Sequence, residues 1–267
     1  SDLHVVRCFE DENILREEGA IDPVSDKEII DTELQLRDLD SVERKFSRTE
    51  KLLRTADPKI KAEYEILKLC KEHLEKGKNI RELDLNKIEK SAIADLFLLT
   101  DKPVLYVANV DEASMHTGNK FSEALKKSAA AENAQVIVMN NSIEQQIAEL
   151  DNAEDKAMFM EEYHMNEPAL NKLIRYTYSL LNLQTYFTAG VQEVRAWTIH
   201  NGWKAPQAAS VIHTDFEKGF IKAEVIAYND YLKYQSEAAC REAGKLRIEG
   251  KEYVVKDGDV MHFRFNV

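Results

Sequence analysis

Glycine and proline are scarce, 9 and 5 in 267 residues, too few for a collagen-like, linker-dominated or low-complexity chain. Cysteine is scarcer still. Cys8, Cys70 and Cys240 are odd in number, far apart and form no Cys-x-x-Cys pair, which excludes a disulfide framework and a thiolate zinc or redox motif. Buried, reduced thiols are expected. No stretch approaches the roughly 18 consecutive apolar residues of a membrane span, and Ser1-Asp2-Leu3-His4 lacks the basic-then-apolar order of a secretory leader, so the expectation is a cytoplasmic protein with no membrane partner. A phosphate-cradling Gly-x-x-x-x-Gly-Lys-Ser/Thr loop is also missing. Gly77-Lys78-Asn79, Gly244-Lys245-Leu246 and Gly250-Lys251-Glu252 each lack the hydroxyl and the earlier glycine, and no Gly-x-Gly-x-x-Gly occurs.

Charge is present in quantity and unevenly placed. The net charge of −12, from 36 basic and 48 acidic residues, argues against a chain that coats nucleic acid by bulk electrostatics. From Gln184 to Val267, 11 Lys/Arg balance 11 Asp/Glu, and residues 35–95 hold 15 Lys/Arg against 13 Asp/Glu. A neutral tail and a slightly basic middle can face RNA phosphate locally; mixed, solvated helix faces have the same composition.

Hydrophobic patterning divides the chain. Leu3 to Phe9 is a short β-rich run. Polar residues and Asp22-Pro23 follow, with a helical pattern starting near Asp26. Leu39, Val42, Phe46, Thr49 and Leu53 recur at helical spacing, and beyond Ala56-Asp57-Pro58 the residues Ile60, Tyr64, Leu67 and Leu74 continue a one-sided stripe. Helices over 36–54 and 58–76, each about 28 Å long at 1.5 Å per residue, predict a protruding helical hairpin too thinly apolar to be wrapped in a core. Pro103 to Ala108 is a near-continuous apolar run, as in a parallel strand covered on both faces. A helix over 119–132, a strand over 135–139, a polar loop Asn140-Asn141-Ser142 and helices over 143–150 and 166–182 complete a doubly wound α/β pattern, whose ligands sit beyond the carboxyl ends of the strands. From Gln184 onward the pattern is mostly β: strands over 184–188, 192–198, 222–227, 246–248, 252–255 and 260–266, with one helix near 207–213.

Asn109-Val110-Asp111-Glu112 is the sharpest chemical signal, because a side-chain amide at a strand's carboxyl end can present donor and acceptor to a purine edge. In GTPase-type sites the fourth place holds Asp, which accepts two hydrogen bonds from guanine; the longer Glu112 does not reproduce that geometry and leaves adenine open. Asn-Val-Asp is equally a helix-cap or turn sequence. His213-Thr214-Asp215 offers two metal ligands without a third, so a turn is the simpler reading. Tyr186, Phe187, Trp197 and Trp203 could stack bases, but aromatic pairs in a small β fold are more often core. No serine, cysteine or histidine arrangement marks a nucleophile.

Longer strings carry a family likeness. His4-Val5-Val6-Arg7-Cys8-Phe9-Glu10, the run from Pro103 to Glu112, Leu183 to Gly190, Val194 to Trp197, His213 to Phe220 and Asp257 to Val260 together resemble the Obg-like ATPase (YchF) family over essentially the whole chain. The resemblance implies an interrupted P-loop GTPase-type nucleotide-binding domain over 1–34 and 96–183, a helical coiled-coil insertion over 35–95, and a C-terminal β-grasp, ubiquitin-like TGS domain over 184–267. It also implies hydrolysis of ATP to ADP with Mg2+, association with the ribosome, RNA contacts through the arm and TGS domain, and a monomer. Asn109 and Glu112 would meet the base, the Val110 backbone would help hold it, and Asn141 and Ser142 would lie nearby in the second loop. There are departures. The family's phosphate loop, magnesium-binding hydroxyls and switch segments precede the strand that begins here at Leu3, so the chain reads as lacking that N-terminal portion and as inactive alone. A family histidine after this strand is matched by Arg16, and Asn140 and Asn141 replace small residues. The alternative reading is an ATP-independent RNA- or ribosome-binding module built from the arm and TGS domain.

Overall fold

The computed structural model describes residues 1–11, 19–55, 57–190 and 193–266, so Arg16 lies outside the described residues. By internal contacts the chain forms two units, Ser1–Ile174 and Arg175–Val267, with the division inside a continuous helix, Ala169–Leu180.

The first unit is built on a parallel sheet of order β1-β2-β3, with β1 at Asp2–Arg7, β2 at Val104–Asn109 and β3 at Gln135–Met139. Every residue of β2 except Asn109 is buried, as expected of a central strand. Val104, Tyr106 and Ala108 alternate onto one face, where with Val6 they meet Leu125 and Ala129 of a helix at Lys120–Ala130. At the edge, Leu3 and Val5 of β1 stay exposed.

Between β1 and β2 stand α1 (Pro23–Leu52) and α2 (Pro58–Glu75). They are antiparallel, with Phe46 stacked on Tyr64 at 4.7 Å between ring centroids. Asp22 caps α1, accepting from the Val24 and Ser25 N–H groups at 3.1 Å, and Pro23 fits the first turn. The helical pattern expected from near Asp26 and the hairpin helix expected over 36–54 are one helix, which runs 30 residues, about 45 Å. Its N-terminal half buries Lys27, Asp31, Gln35 and Asp38, spaced by one helical turn, so the stripe facing inward is polar and invisible to a search for apolar periodicity. The base of the hairpin also has a core, contrary to expectation: Val42, Leu67, Cys70 and Leu74 join Ile80, Leu85, Ile93 and Leu98, supplied partly by α3 (Lys87–Ile93).

The polar stripe is paired throughout. Lys27 Nζ lies 2.8 Å from both Asp31 and Glu132, Arg81 lies 2.9 Å from Glu132 and 3.4 Å from Asp31, and the Tyr106 hydroxyl donates to Glu132 at 3.0 Å. Further along, Gln35 donates to Asn79 at 2.9 Å, and Asp38 accepts from the Leu99 N–H and from the Thr100 N–H and hydroxyl at 2.7–3.0 Å.

After β3 come α5 (Asn141–Glu149), α6 (Ala153–Glu162) and α7 (Ala169–Leu180), with the helix at Lys120–Ala130 as α4. The sequence pattern does not mark α6, because none of its residues is buried.

The second unit holds a mixed sheet of order β5-β4-β8-β6-β7: β4 (Leu183–Ala189), β5 (Val194–His200), β6 (Phe220–Ile226), β7 (Arg247–Glu249) and β8 (Val260–Phe265). β4 runs parallel to β8 and the other pairs are antiparallel. The core gathers Tyr186, Ile199, Phe220, Val225, Met261 and Phe263 with the alanines of α8 (Ala205–Ser210), and the Tyr186 hydroxyl donates to the Ala208 carbonyl at 2.9 Å. Three more short helices, α9 (Thr214–Lys218), α10 (Tyr228–Tyr234) and α11 (Glu237–Glu242), are too short to show a periodicity. The strand expected over 252–255 is only an isolated bridge between Val254 and Lys204. Gly219 admits the chain end, since a Cβ there would collide with the Asn266 carbonyl.

Burial opposes the Glu132 charge, but hydrogen bonds from Lys27 and Arg81 outweigh it and hold its carboxyl below the ordinary value. Glu132→Gln should therefore lower unfolding free energy by about 3–5 kcal/mol at neutral pH, by leaving buried cations short of an anion. Because the folded pKa is lowered, this contribution is present above the ordinary carboxylate pKa. It disappears as pH falls through the lower folded value, so urea titrations of the two proteins should converge only in strong acid; a constant gap down to pH 2 would contradict the assignment.

Candidate base-binding loops and comparison with known proteins

Two polar loops leave adjacent strands at the same end of the parallel sheet. Asn109 pairs with Met139 in the β2–β3 register, and the next residue continues the ladder through the Val110 N–H, 3.0 Å from the Met139 carbonyl. Val110 is buried, so it fixes the loop by its side chain and offers only backbone. The Asn109 side-chain oxygen accepts the Asn141 N–H at 3.0 Å, which brings both expected site residues together. Asn140, expected only as a departure, is the staple: its side-chain nitrogen donates to the Val110 carbonyl at 2.8 Å, and its oxygen caps α5 by accepting the Ile143 N–H at 2.9 Å. Spacing carries no signal for this cross-loop bond, which exists only once β2 and β3 are neighbours.

Asp111 takes the cap role that its sequence allowed, accepting the Ser114 N–H at 2.9 Å at the start of a 3-10 turn, Glu112–Ser114. Its carboxylate is spent locally. Glu112, Asn141 and Ser142 are exposed, and the structure gives Glu112 and Ser142 no bond to Asn109. Asn119 steadies the floor from the next element, donating to the Cys8 carbonyl at 2.7 Å and to the Ser114 hydroxyl at 3.3 Å.

A cavity of about 220 Å3 opens beside Asn140 and is lined by Met115, His116, Met139, Glu144 and Met165. Two of its polar groups are already held in place. His116 bonds the Tyr163 carbonyl at 2.8 Å, while Glu144 accepts the Ala169 and Leu170 N–H groups and so caps α7. Asn109, Glu112, Asn141 and Ser142 do not line it.

The other candidates resolve into structure. His213 caps α9 by accepting the Asp215 N–H at 3.2 Å, with no third ligand beside that pair. Tyr186 is core, and Trp197 donates to Thr188 at 2.9 Å. All three cysteines are free and buried, and burial pushes the Cys8 thiol up to about 12 and the Cys70 thiol to about 11, which leaves them unreactive near neutrality. Among the described residues, Glu224, Glu237 and His262 could converge on a cation, but Glu224 already lies 3.4 Å from Arg241 and 3.2 Å from Arg264.

Comparison with known proteins matches the chain over nearly its full length. The chain is 50% identical over 264 residues to the ribosome-binding ATPase YchF of Escherichia coli O157:H7, spanning 99% of this chain and 72% of that protein. The chain belongs to the YchF family. The Bacillus subtilis YchF, also named a ribosome-binding ATPase, is 50% identical over 266 residues, with the same shares of each chain covered. The Schizosaccharomyces pombe YchF GTPase structure superposes with a TM-score of 0.84 at 38% identity, over 98% of this chain and 71% of that one. Residues 183–266 match the family model YchF-GTPase_C, described as a protein of unknown function (DUF933). The fold is accordingly α/β, with an N-terminal parallel sheet of the P-loop NTPase kind and a C-terminal mixed sheet of TGS-like form. No helix among the described residues is long and apolar enough to cross a membrane.

In this YchF-family chain the Asn140 staple is measurable on its own. Asn140→Ala should cost about 1–3 kcal/mol by leaving the Val110 carbonyl and Ile143 N–H unsatisfied, and should raise amide exchange at Ile143. Exchange unchanged from the parent would show that the staple does not hold the loops.

Proposed function

We propose that the Asn109 and Asn140 loops are the base-selecting part of an ATP site, in a ribosome-associated protein that hydrolyses ATP to ADP with Mg2+ when a phosphate loop accompanies this chain. One observation carries the reading. The Asn109 side-chain oxygen is engaged by the Asn141 N–H, which uses one of its two lone pairs and fixes the amide, leaving the nitrogen's N–H groups as donors for a ligand. The natural acceptor is a purine N7, present in adenine and guanine alike. Discrimination then falls to Glu112, whose exposed carboxylate can accept from the adenine amino group, and to the Val110 backbone, with Asn141 and Ser142 flanking the base.

The donor set fits the base but not the phosphates. No Gly-x-x-x-x-Gly-Lys-Ser/Thr loop lies in these 267 residues, and the charge-assisted contacts that dominate nucleotide affinity come from such a loop and its magnesium. The 267 residues alone are therefore expected not to hydrolyse ATP. The domain assignment follows the same reading: nucleotide-binding elements over 1–34 and 96–183, the helical arm over 35–95 and the TGS domain over 184–267. Both bacterial relatives bear the name ribosome-binding ATPase, which supports the activity and the partner.

With the family's phosphate loop restored, Glu112→Asp should move the ATP-to-GTP ratio of dissociation constants about tenfold toward GTP, roughly 1.4 kcal/mol. Unchanged constants for both nucleotides would remove Glu112 as the selector. Cosedimentation with ribosomes should strengthen when ATP is added to that protein; equal binding with and without ATP favours a nucleotide-independent module instead.

A further inference from the structure

One helix of the first unit leaves its apolar face uncovered. None of the 10 residues of α6 is buried, yet a helix of that length is marginal in water unless an apolar face is packed. That face exists. Asp155, Met158, Phe159 and Glu162 are spaced so that they lie side by side along the helix, and with Leu150, Glu161 and His164 they line an open groove of about 560 Å3. Met158, in its floor, is 69% exposed, and the half-buried Phe159 tilts against Tyr163 at 4.8 Å between ring centroids. The rim is acidic. Residues 149–162 hold Glu149, Asp151, Glu154, Asp155, Glu161 and Glu162 against the single cation Lys156, and none of these carboxylates forms an ion pair among the described residues.

We infer that this groove docks a basic amphipathic helix of a partner protein, with apolar residues of that helix seated on Leu150, Met158 and Phe159 and its Lys/Arg paired with the acidic rim. The chemistry selects the occupant. A methionine floor is polarizable and adapts to the side chains laid on it, which suits the anchors that a helix in a groove presents at every third or fourth residue. At 10 residues α6 is about 15 Å long, enough for about three turns of such a helix. The unpaired carboxylates repel RNA phosphate and anionic lipid headgroups, and the net charge of −12 opposes a second copy of this chain. Cations on the incoming helix relieve the mutual repulsion of the rim, which an uncharged helix would leave in place. Asn109, Glu112, Asn141 and Ser142 do not line the groove, so the inference stands apart from the nucleotide reading.

The test uses the full 267-residue chain and a fluorescein-labelled peptide of leucine and lysine, about four helical turns long with leucine along one face, its anisotropy read over a salt series. The peptide should bind, and a scrambled peptide of the same composition should bind about tenfold more weakly, since it keeps the charge and loses the apolar face. Met158→Gln, which changes polarity with little change in helix propensity, should weaken binding about fivefold. The double variant Glu161→Gln, Glu162→Gln should weaken it by a similar factor and flatten its salt dependence. Neutralising two exposed acids of α1 instead, Glu28→Gln with Glu33→Gln, should leave the affinity within about twofold. Amide exchange over 153–163 should slow when the peptide is added. All the altered side chains are exposed, so circular dichroism and melting temperature should match the parent. No binding at about 100 μM peptide, equal affinity for the ordered and scrambled peptides, an unchanged constant in Met158→Gln, or equal weakening by the α1 pair would overturn the inference. So would exchange over 153–163 that slows with an RNA hairpin or phosphatidylserine vesicles and not with the peptide, or that slows with chain concentration alone, the last pointing to a second copy.

Discussion

Two cations and two carboxylates, closed off from water, hold the helical hairpin to the parallel sheet. Lys27 and Asp31 come from α1, Arg81 from the segment after α2, and Glu132 from the turn after α4. Each side chain is about 9–13% exposed, so none could remain charged there alone; together they are neutral, and the Tyr106 hydroxyl fills a further acceptor site. The arrangement is not fully satisfied, since Arg81 Nε is buried without a partner. A buried network of this kind gives little net stability over an apolar core, but it accepts only one pairing.

That single pairing matters because Tyr106 lies on β2, three residues before Asn109. The strand that carries the network also carries the candidate base loop. Burial on both faces, the network at its middle and the Val110–Met139 bond at its end leave β2 little freedom, so the two loops meet with defined geometry, Asn109 with Asn141 and Val110 with Asn140, on an otherwise exposed rim. The hairpin, by contrast, is well packed only at its base. Beyond Val42 toward the turn, Thr49 is the one buried position of α1, and the exposed positions there are free to carry charge.

Legibility in the sequence followed the kind of force involved. β2 and β3 were readable because fully buried strands are continuous apolar runs, and α2 because its apolar stripe is regular. A helical pattern was readable from near Asp26, but not that its inner face is polar, because Lys27, Asp31, Gln35 and Asp38 look like a solvated face until Arg81, Glu132, Asn79 and Thr100 arrive from 44 or more residues away. The helices α9 to α11 escaped notice because five to seven residues hold too few turns for a pattern. At the site, Asn109 and Glu112 stood out as a motif, while the structural part played by Asn140 did not.

Residue type and order alone determined the family likeness, the α/β character, the charge asymmetry and the presence of a purine-compatible loop without a phosphate loop, because each of these is a property of local strings. Tertiary structure decided which ambiguous residues do what. Asp111 became a cap, His213 a cap and Tyr186 core, and the polar face of α1 became an interior, since a side chain's role depends on the partner that folding brings to it. The amide of Asn109 shows the division most plainly: sequence places it at a strand end, and only the folded chain, by bringing the Asn141 N–H at the start of α5 to its oxygen, fixes its orientation.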